Sequence, residues 1–450
     1  MAKALEPMTS GPIWKRMVMF ALPLLLGNLF QQLYNTVDSL IVGNFLGSSA
    51  LAAVSSSGSL IFMLIGFLSG IASGAGVVVA RYFGAQDRDN LQLSVHTTVA
   101  FGLLAGVVMT VIGVLFCPQI LIWMDTPSSV MKESVTYLQI YFAGSMGFIM
   151  YNIFVGILQA VGDSRHPLYY LITSSVINLV LDIVFIGFFH TGVGGAAFAT
   201  VIAQFISAGL CLIQLLRTDE SYKLYIKKIG LDKKVLKQII KIGLPSGIQN
   251  AIIAFANVVV QSDINAFGEM AMAGCGAYNK IEGFGFLPIT SFTMAITTFV
   301  GQNLGANQYE RTKKGAKFGI LVTVILAEIV GIIVFIFSPL MIAAFDPTPG
   351  VVQFGIEKAK SCALFYFLLA YSHSIAAVLR GAGKAIVPMT IMITFWCIVR
   401  VTILAVAIPL LNTIQVVYWV YPITWALSST AFLIYYKKVD WLKKPKNAAK

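Results

Sequence analysis

Charge is what this 450-residue chain has least of: 11% of its residues are charged, 19 are acidic and four are histidine. Soluble domains carry about 25% charged residues. Here 58% are apolar and the mean hydropathy is +0.83, which excludes a water-soluble fold. Cysteine is equally scarce. The five present (Cys117, Cys211, Cys275, Cys362, Cys397) have no CxxC or metal-like spacing, and most lie in apolar runs, where a thiol packs as a small hydrophobe. No HExxH and no GxxxxGK[ST] occurs, and no nucleophile is paired with a base, so neither an intramembrane enzyme nor ATP drive by this chain is expected. The net charge of +12 does not gather on one amphipathic face, as nucleic-acid binding requires.

What is abundant is apolar sequence in runs longer than ~18 residues, each sufficient to cross a hydrocarbon core. Twelve are predicted: Trp14–Phe45, Leu51–Tyr82, Leu91–Phe116, Val130–Val161, Pro167–Phe189 and Gly195–Leu216, then Lys237–Phe267, Met270–Gln302, Lys314–Phe337, Val351–Leu379, Ile386–Leu411 and Gln415–Tyr436. The polar opening Met1–Pro12 precedes a run too long, and too poor in cleavage signals, for a signal peptide, so the first helix is expected to be retained.

The halves repeat. An offset of 221 residues places Arg81–Gln86 on Gln302–Asn307, Pro118 on Pro339, Asp125 on Asp346, Leu158–Gly162 on Leu379–Gly383 and Pro167 on Pro388; near the start an offset of 222 sets Ala21-Leu-Pro23 on Gly243-Leu-Pro245. Each half has an even number of spans, so the repeats are parallel, related by an axis along the membrane normal. The expected fold is therefore an all-α integral membrane protein of 12 transmembrane helices in two pseudo-symmetric six-helix bundles. Its parts are an N-terminal lobe (1–216), a basic linker (217–236), a C-terminal lobe (237–436) and a basic tail (437–450).

Lys and Arg set the orientation. The outer side carries Lys132, Lys358 and Lys360; Lys280 and Arg400 fall inside spans, and every other basic residue lies at the end that also holds both termini and the linker. Both termini are expected to be cytoplasmic. The linker lysines are read as a solvated positive-inside loop, with an acidic-lipid or protein patch as the alternative.

An ionisable residue at bilayer depth costs ~2.5–3.5 kcal/mol on insertion scales, so those present are functional candidates. In the first span Asn28, Gln31, Gln32, Asn35, Asp38 and Ser39 form one polar stripe. In the fifth, Asn178 and Asp182 are four apart and share a face. Oxygen ligands suit a hard cation such as Na⁺, while two nearby carboxylates suit a proton, which relieves their repulsion. The competing reading is that the two aspartates only tie helices together.

In the second half the ionisable residues are Asp263, Lys280, Glu282, Glu328 and Arg400, for which interhelical pairs such as Glu282 with Arg400 or Asp263 with Lys280 are the default. The alternative is that Glu282 faces a cavity and attracts cationic compounds. A candidate substrate cavity is drawn from Gln31, Asn35, Met146, Glu282 and Tyr371, with packing as the ordinary role of such Met and aromatic residues. His373 is read as a packing residue ahead of a proton relay. Pro23 and Pro245 each remove a backbone hydrogen bond, making a moving bend or a tolerated kink.

Leu33-Tyr-Asn-Thr-Val-Asp38-Ser-Leu-Ile-Val-Gly43, Gly84-Ala-Gln86, Gly305-Ala-Asn307 and Leu158-Gln-Ala-Val-Gly162-Asp163 resemble the multidrug and toxic compound extrusion (MATE) family over nearly the whole chain. The resemblance implies two bundles that open alternately to either side, exporting amphiphilic, often cationic compounds in exchange for Na⁺ or H⁺. It implies that Asp38, Asn178, Asp182 and Thr200 form a first-lobe cation site, Thr200 matching through Gly194-Gly-Ala-Ala-Phe-Ala-Thr200. Some relatives carry acids on the seventh and tenth spans, but Asn250–Phe255 and Ala370–Ser374 have none. No cofactor is expected beyond the coupling ion. The partners are membrane lipids and small-molecule drugs or organic cations, with no nucleic acid, in a monomer of the bacterial cytoplasmic membrane. A flippase for lipid-linked sugars is the alternative function, though it suits a more cationic cavity.

Overall fold

The computed structural model describes residues 7–124 and 126–442, with backbone alone at 39–40, 42–44, 47–60 and 62. Asp125, the side chains of Ser39 and Leu40, Lys3 and the tail beyond Leu442 lie outside the described residues. Among those residues the chain is all helix and turn: α1 (Ile13–Gly84), α2 (Arg88–Trp123), α3 (Ser128–Ala143), α4 (Ser145–Ala160), α5 (Arg165–Asp182), α6 (Gly192–Arg217), α7 (Lys233–Asn265), α8 (Glu269–Gly305), α9 (Tyr309–Ala343), α10 (Pro349–Cys362), α11 (Tyr366–Gly381), α12 (Ile386–Met392), α13 (Arg400–Leu411) and α14 (Gln415–Lys438).

Eleven stretches are long and apolar enough to cross a membrane, and a twelfth is made by α3 and α4 together, bent by 48° at Gly144. That bent pair is the predicted fourth span. The predicted break between Phe45 and Leu51 differs: helical backbone runs through it, and only the ends of α1, Ile13–Asp38 and Met63–Gly84, qualify as spans. At about 1.5 Å per residue α1 has more than three times the length of a ~30 Å core, and the small-residue run from Gly47 to Gly58 contains no proline to stop it. Helices suit this chain because their intrasegment hydrogen bonds satisfy the backbone groups of each span in lipid.

The repeat is written into the element ends. Helices close at Gly84 and Gly305, and others open at Arg88 and Tyr309, Ser128 and Pro349, Arg165 and Ile386, each pair at the offset of 221. Gln86 and Asn307, equivalent under that offset, both turn the chain with positive φ, 55° and 58°. The same holds for the apolar surface. Leu104, Val108, Val111, Ile112, Leu115 and Phe116 of α2 are exposed, and so are their equivalents Ile325, Ile329, Ile332, Ile333, Ile336 and Phe337 of α9. In water such stripes would be a liability; facing lipid they are solvated.

The chain divides into two compact units that trade segments. Unit 1 is Met1–Pro7 with Leu26–Gly243, and unit 2 is Met8–Leu25 with Leu244–Lys450. The first part of α1 thus packs in unit 2, where Met8, Met17, Phe20 and Ala21 join the core of α8, α9 and α11. The Met8 amide donates to Gln302 Oε1 (2.9 Å) and its carbonyl accepts from Arg311 (3.1 Å). Reciprocally, the start of α7 packs in unit 1, where Gly74 and Gly243 cross so closely that a Cβ on Gly74 would sit 2.3 Å from the Gly243 backbone. Pro23 and Pro245 lie within two or three residues of these exchange points.

The linker between α6 and α7 is held down. Tyr222 and Leu224 are buried, Gln92 Nε2 donates to the carbonyls of Ser221 and Lys223, and the Tyr225 amide donates to His96 Nε2 at 2.9 Å. The Asp232 amide donates to Thr97 Oγ1. The backbone is docked while Lys227, Lys228, Lys233 and Lys234 stay exposed.

Candidate functional site

In unit 1 the helical periodicity of α5 aligns Ser174, Asn178 and Asp182, all buried, with Asn178 and Asp182 at 0% exposure. Directly after Asp182 the helix widens into a π-helical stretch, Ile183–Phe188, a local irregularity that recurs at functional sites. Thr191 closes it, its hydroxyl and amide both donating to the Phe185 carbonyl. Small residues let α6 approach: a Cβ on Gly195 would fall 3.1 Å from the Phe185 side chain and closer still to Thr191. Nine residues into α6, Thr200 reaches the same region, donating to the Ala196 carbonyl at 3.1 Å.

Of the four predicted ligands the structure brings Asp38 and Asp182 together; Asn178 lies one turn before Asp182 on its face, and Thr200 is reached through Tyr34. Asp38 from α1 and Asp182 from α5 act electrostatically on one another and on Tyr34 and Tyr137, and the Tyr34 hydroxyl lies in hydrogen-bonding contact with Thr200. Within this cluster Asp38 Oδ1, both oxygens of Asp182 and both polar atoms of the Asn178 side chain are buried and make no hydrogen bond to other described residues. Buried polar groups are almost always paired, because leaving one bare costs about 1–3 kcal/mol. Two interacting buried carboxylates with an amide on the same helix face offer oxygens of the kind that suit a hard monovalent cation, or a proton held between the two acids. Tyr34 and Tyr137 were not anticipated from the sequence. Tyr34 is four residues before Asp38 and so on its face, a signal present in the stripe but masked by its aromatic ring.

The family model MatE matches residues 23–184 and 245–419, the two repeats in turn. The chain belongs to the MATE family. A probable multidrug resistance protein, YoeA, of Bacillus subtilis is 32% identical over 445 residues, covering 96% of this chain and 95% of its own. The probable multidrug resistance protein NorM of Thermotoga maritima is 27% identical, covering 85% and 83%. The multidrug export protein MepA of Staphylococcus aureus is 23% identical, covering 76% of each. Among solved structures, one described as the outward-facing conformation of a multidrug resistance MATE family transporter of the MOP superfamily matches with a TM-score of 0.89. It is 22% identical and covers 97% of this chain and 98% of that one, a likeness of fold.

Within this MATE chain the remaining candidates separate by unit. Gln31 and Asn35 are exposed on α1, and Met146 packs on the unit 1 core, its sulfur against Gly106. Tyr371 is half-buried against the unit 2 core, and His373 is sandwiched between Phe286 and Trp396 with ring centroids 5.0 and 5.1 Å away, as a packing residue is. Lys280 is exposed beside Phe345, and Asp263 is half-buried. Glu328 accepts from the Phe367 amide at 3.1 Å.

Glu282 differs from its simplest expectation. Tyr278 donates to it at 3.2 Å and is itself bonded to Tyr366 at 2.8 Å, while both Lys358 and Arg400 act on Glu282 electrostatically, Lys358 the more strongly. Lys358, read from sequence as an outer-side charge, is instead 2% exposed on α10, whereas Lys360 is exposed. Residues two apart on a helix point to nearly opposite faces, so one lysine faces out and the other in.

Proposed function

We propose that this protein is a secondary active multidrug exporter that takes up a monovalent cation, Na⁺ or H⁺, at Asp38, Asn178, Asp182 and Thr200 and expels amphiphilic, often cationic compounds by alternating access. The observation that carries this reading is the set of buried side-chain oxygens on two helices of unit 1, Asp38 on α1 and Asn178 and Asp182 on α5, in a chain of this family. Relatives named for multidrug resistance or export support the cargo class over a lipid-linked sugar. Coupling requires that the cation bind one state of unit 1 better than another, since equal affinity shifts nothing. Asp38 and Asp182 come from different helices, so a cation held by both resists their separation, while its loss leaves two buried acids to repel. Cation entry from outside would then favour the arrangement with low affinity for cargo. The low charge further supports a place in the bacterial cytoplasmic membrane and the basic linker supports both termini inside, while two repeats within one chain support a monomer.

Dye efflux from cells, with Na⁺ and pH gradients imposed separately, tests this on the native chain and on Asp38→Asn. Efflux that follows one gradient and disappears in the variant, at equal membrane abundance, is expected. Transport indifferent to both gradients and to Asp38 removes the cation site from the mechanism.

A further inference from the structure

The two units place groups of different charge at corresponding points of the repeat. The offset of 221 that relates α3 to α10 takes Tyr137, a neighbour of Asp38 and Asp182, onto Lys358, each the tenth residue of its helix. The same offset takes Asn178 to Val399, the last residue of the π-helical stretch Ile393–Val399; the next residue is Arg400. A π-helical turn adds a residue without adding a turn, and this advance aims Arg400 inward, where it is 2% exposed. Where unit 1 gathers carboxylates, unit 2 gathers cations.

The geometry around them is compact. The Tyr421 ring lies beside both cations, its centroid 5.6 Å from Lys358 Nζ and 4.3 Å from Arg400 Cζ. Lys358 donates to Asn279 Oδ1 at 2.9 Å, and Arg400 donates from Nε and Nη2 to Thr424 Oγ1 at 3.4 and 3.1 Å. Both of these partners are neutral. Glu282 is the carboxylate with the largest effect on both Lys358 and Arg400, and it is already an acceptor for Tyr278. Two fully buried cations against one acid leave an excess positive charge in a low-dielectric interior, where an uncompensated ion is strongly disfavoured.

We propose that unit 2 binds one small monovalent anion, a halide or a carboxylate group, between Lys358 and Arg400 beside Tyr421. The site is made for it: an ammonium and a guanidinium retain donor hydrogens beyond those given to Asn279 and Thr424. The Tyr278 and Tyr366 hydroxyls are bonded to each other beside Glu282, and the Tyr278 ring lies 5.3 Å from Lys358 Nζ. This assignment is independent of the cation site in unit 1, and its failure would leave that site untouched.

The test is thermal unfolding of the purified full chain in lipid nanodiscs at fixed Na⁺, with isethionate replaced stepwise by chloride or by benzoate. A saturable rise in the unfolding midpoint with at least one of these anions is expected for the native chain, and none for Lys358→Met and Arg400→Met. Glu282→Gln removes the competing carboxylate and should saturate at a roughly tenfold lower anion concentration. A response to chloride alone identifies a halide site, and a stronger response to benzoate identifies a site for organic carboxylates; either supports the proposal. A flat response in both the native chain and Glu282→Gln overturns it, as does a response that survives in the Met variants. If the Met variants fail to fold, an anion dependence unchanged by Glu282→Gln overturns it equally.

Discussion

Replacing Asp182 by Asn keeps the shape of the site and removes one charge. Asp182 has no hydrogen-bond partner among the described residues other than the Asp38 carboxyl, and an asparagine amide can still donate to that carboxyl, so most of the cost falls on the cation. A charged ligand contributes about 1.5–3 kcal/mol, which predicts a ~10- to ~150-fold loss of cation affinity. Binding adds RT ln(1 + [L]/Kd) to stability, about 2.7 kcal/mol at a hundredfold excess over Kd. A tenfold weaker site at the same concentration therefore loses about 1.3 kcal/mol of that protection. Differential scanning of the purified protein across Na⁺ concentrations, repeated across pH, reads this directly. The native midpoint should rise with one ion, and Asp182→Asn should flatten that response while equalling or exceeding the native midpoint without it. A variant that keeps the full native response to both ions refutes the site, and one that unfolds far earlier in the absence of ion refutes the claim that Asp182 serves the cation more than the fold.

Three further substitutions probe the surroundings. Tyr34→Phe removes only the hydroxyl against Thr200 and should weaken cation binding about fivefold, worth ~1 kcal/mol, with unchanged folding, as read in the same titration. Gly74→Ala drives a methyl group into the Gly243 backbone and should cost about 1–3 kcal/mol, whereas Gly209→Ala, which meets nothing within 4 Å, should stabilise by ~0.5–1 kcal/mol; detergent melts of the two variants must move in opposite directions. Burial pushes the Tyr222 phenol from 10.0 up to about 12. Its folded pKa lies above the unfolded value, so its contribution is complete below pH 10 and is lost as pH rises through 12. Alkaline unfolding followed by tryptophan fluorescence should begin at lower pH in the native chain than in Tyr222→Phe.

The membrane architecture was legible because it is written in hydropathy, and the repeat because an offset of 221 recurs from Gly84 to Pro388. Helical spacing also showed that Asn178 and Asp182 share a face, and Thr200 entered through its family motif. What periodicity could not reveal was pairing across helices. Tyr34 and Tyr137 read as apolar aromatics until their hydroxyls are seen beside carboxylates. Lys358 read as an outer charge because a count by loops ignores which side of a helix a residue occupies. Arg400 is turned inward by a π-helical stretch, a one-residue event with no signature in composition.

The trade of segments at Leu25 and Gly243 has a consequence for biogenesis. During synthesis unit 1 lacks its last helical piece until the linker and the start of α7 have left the ribosome, so the first six spans cannot finish packing as they emerge. The segment Met8–Leu25 waits longer still, because α8, α9 and α11, which cover Met17 and Phe20, are made hundreds of residues later. The earliest part of the chain to be inserted is therefore among the last to find its partners, and truncation before the end of α11 strands it with an uncovered apolar face.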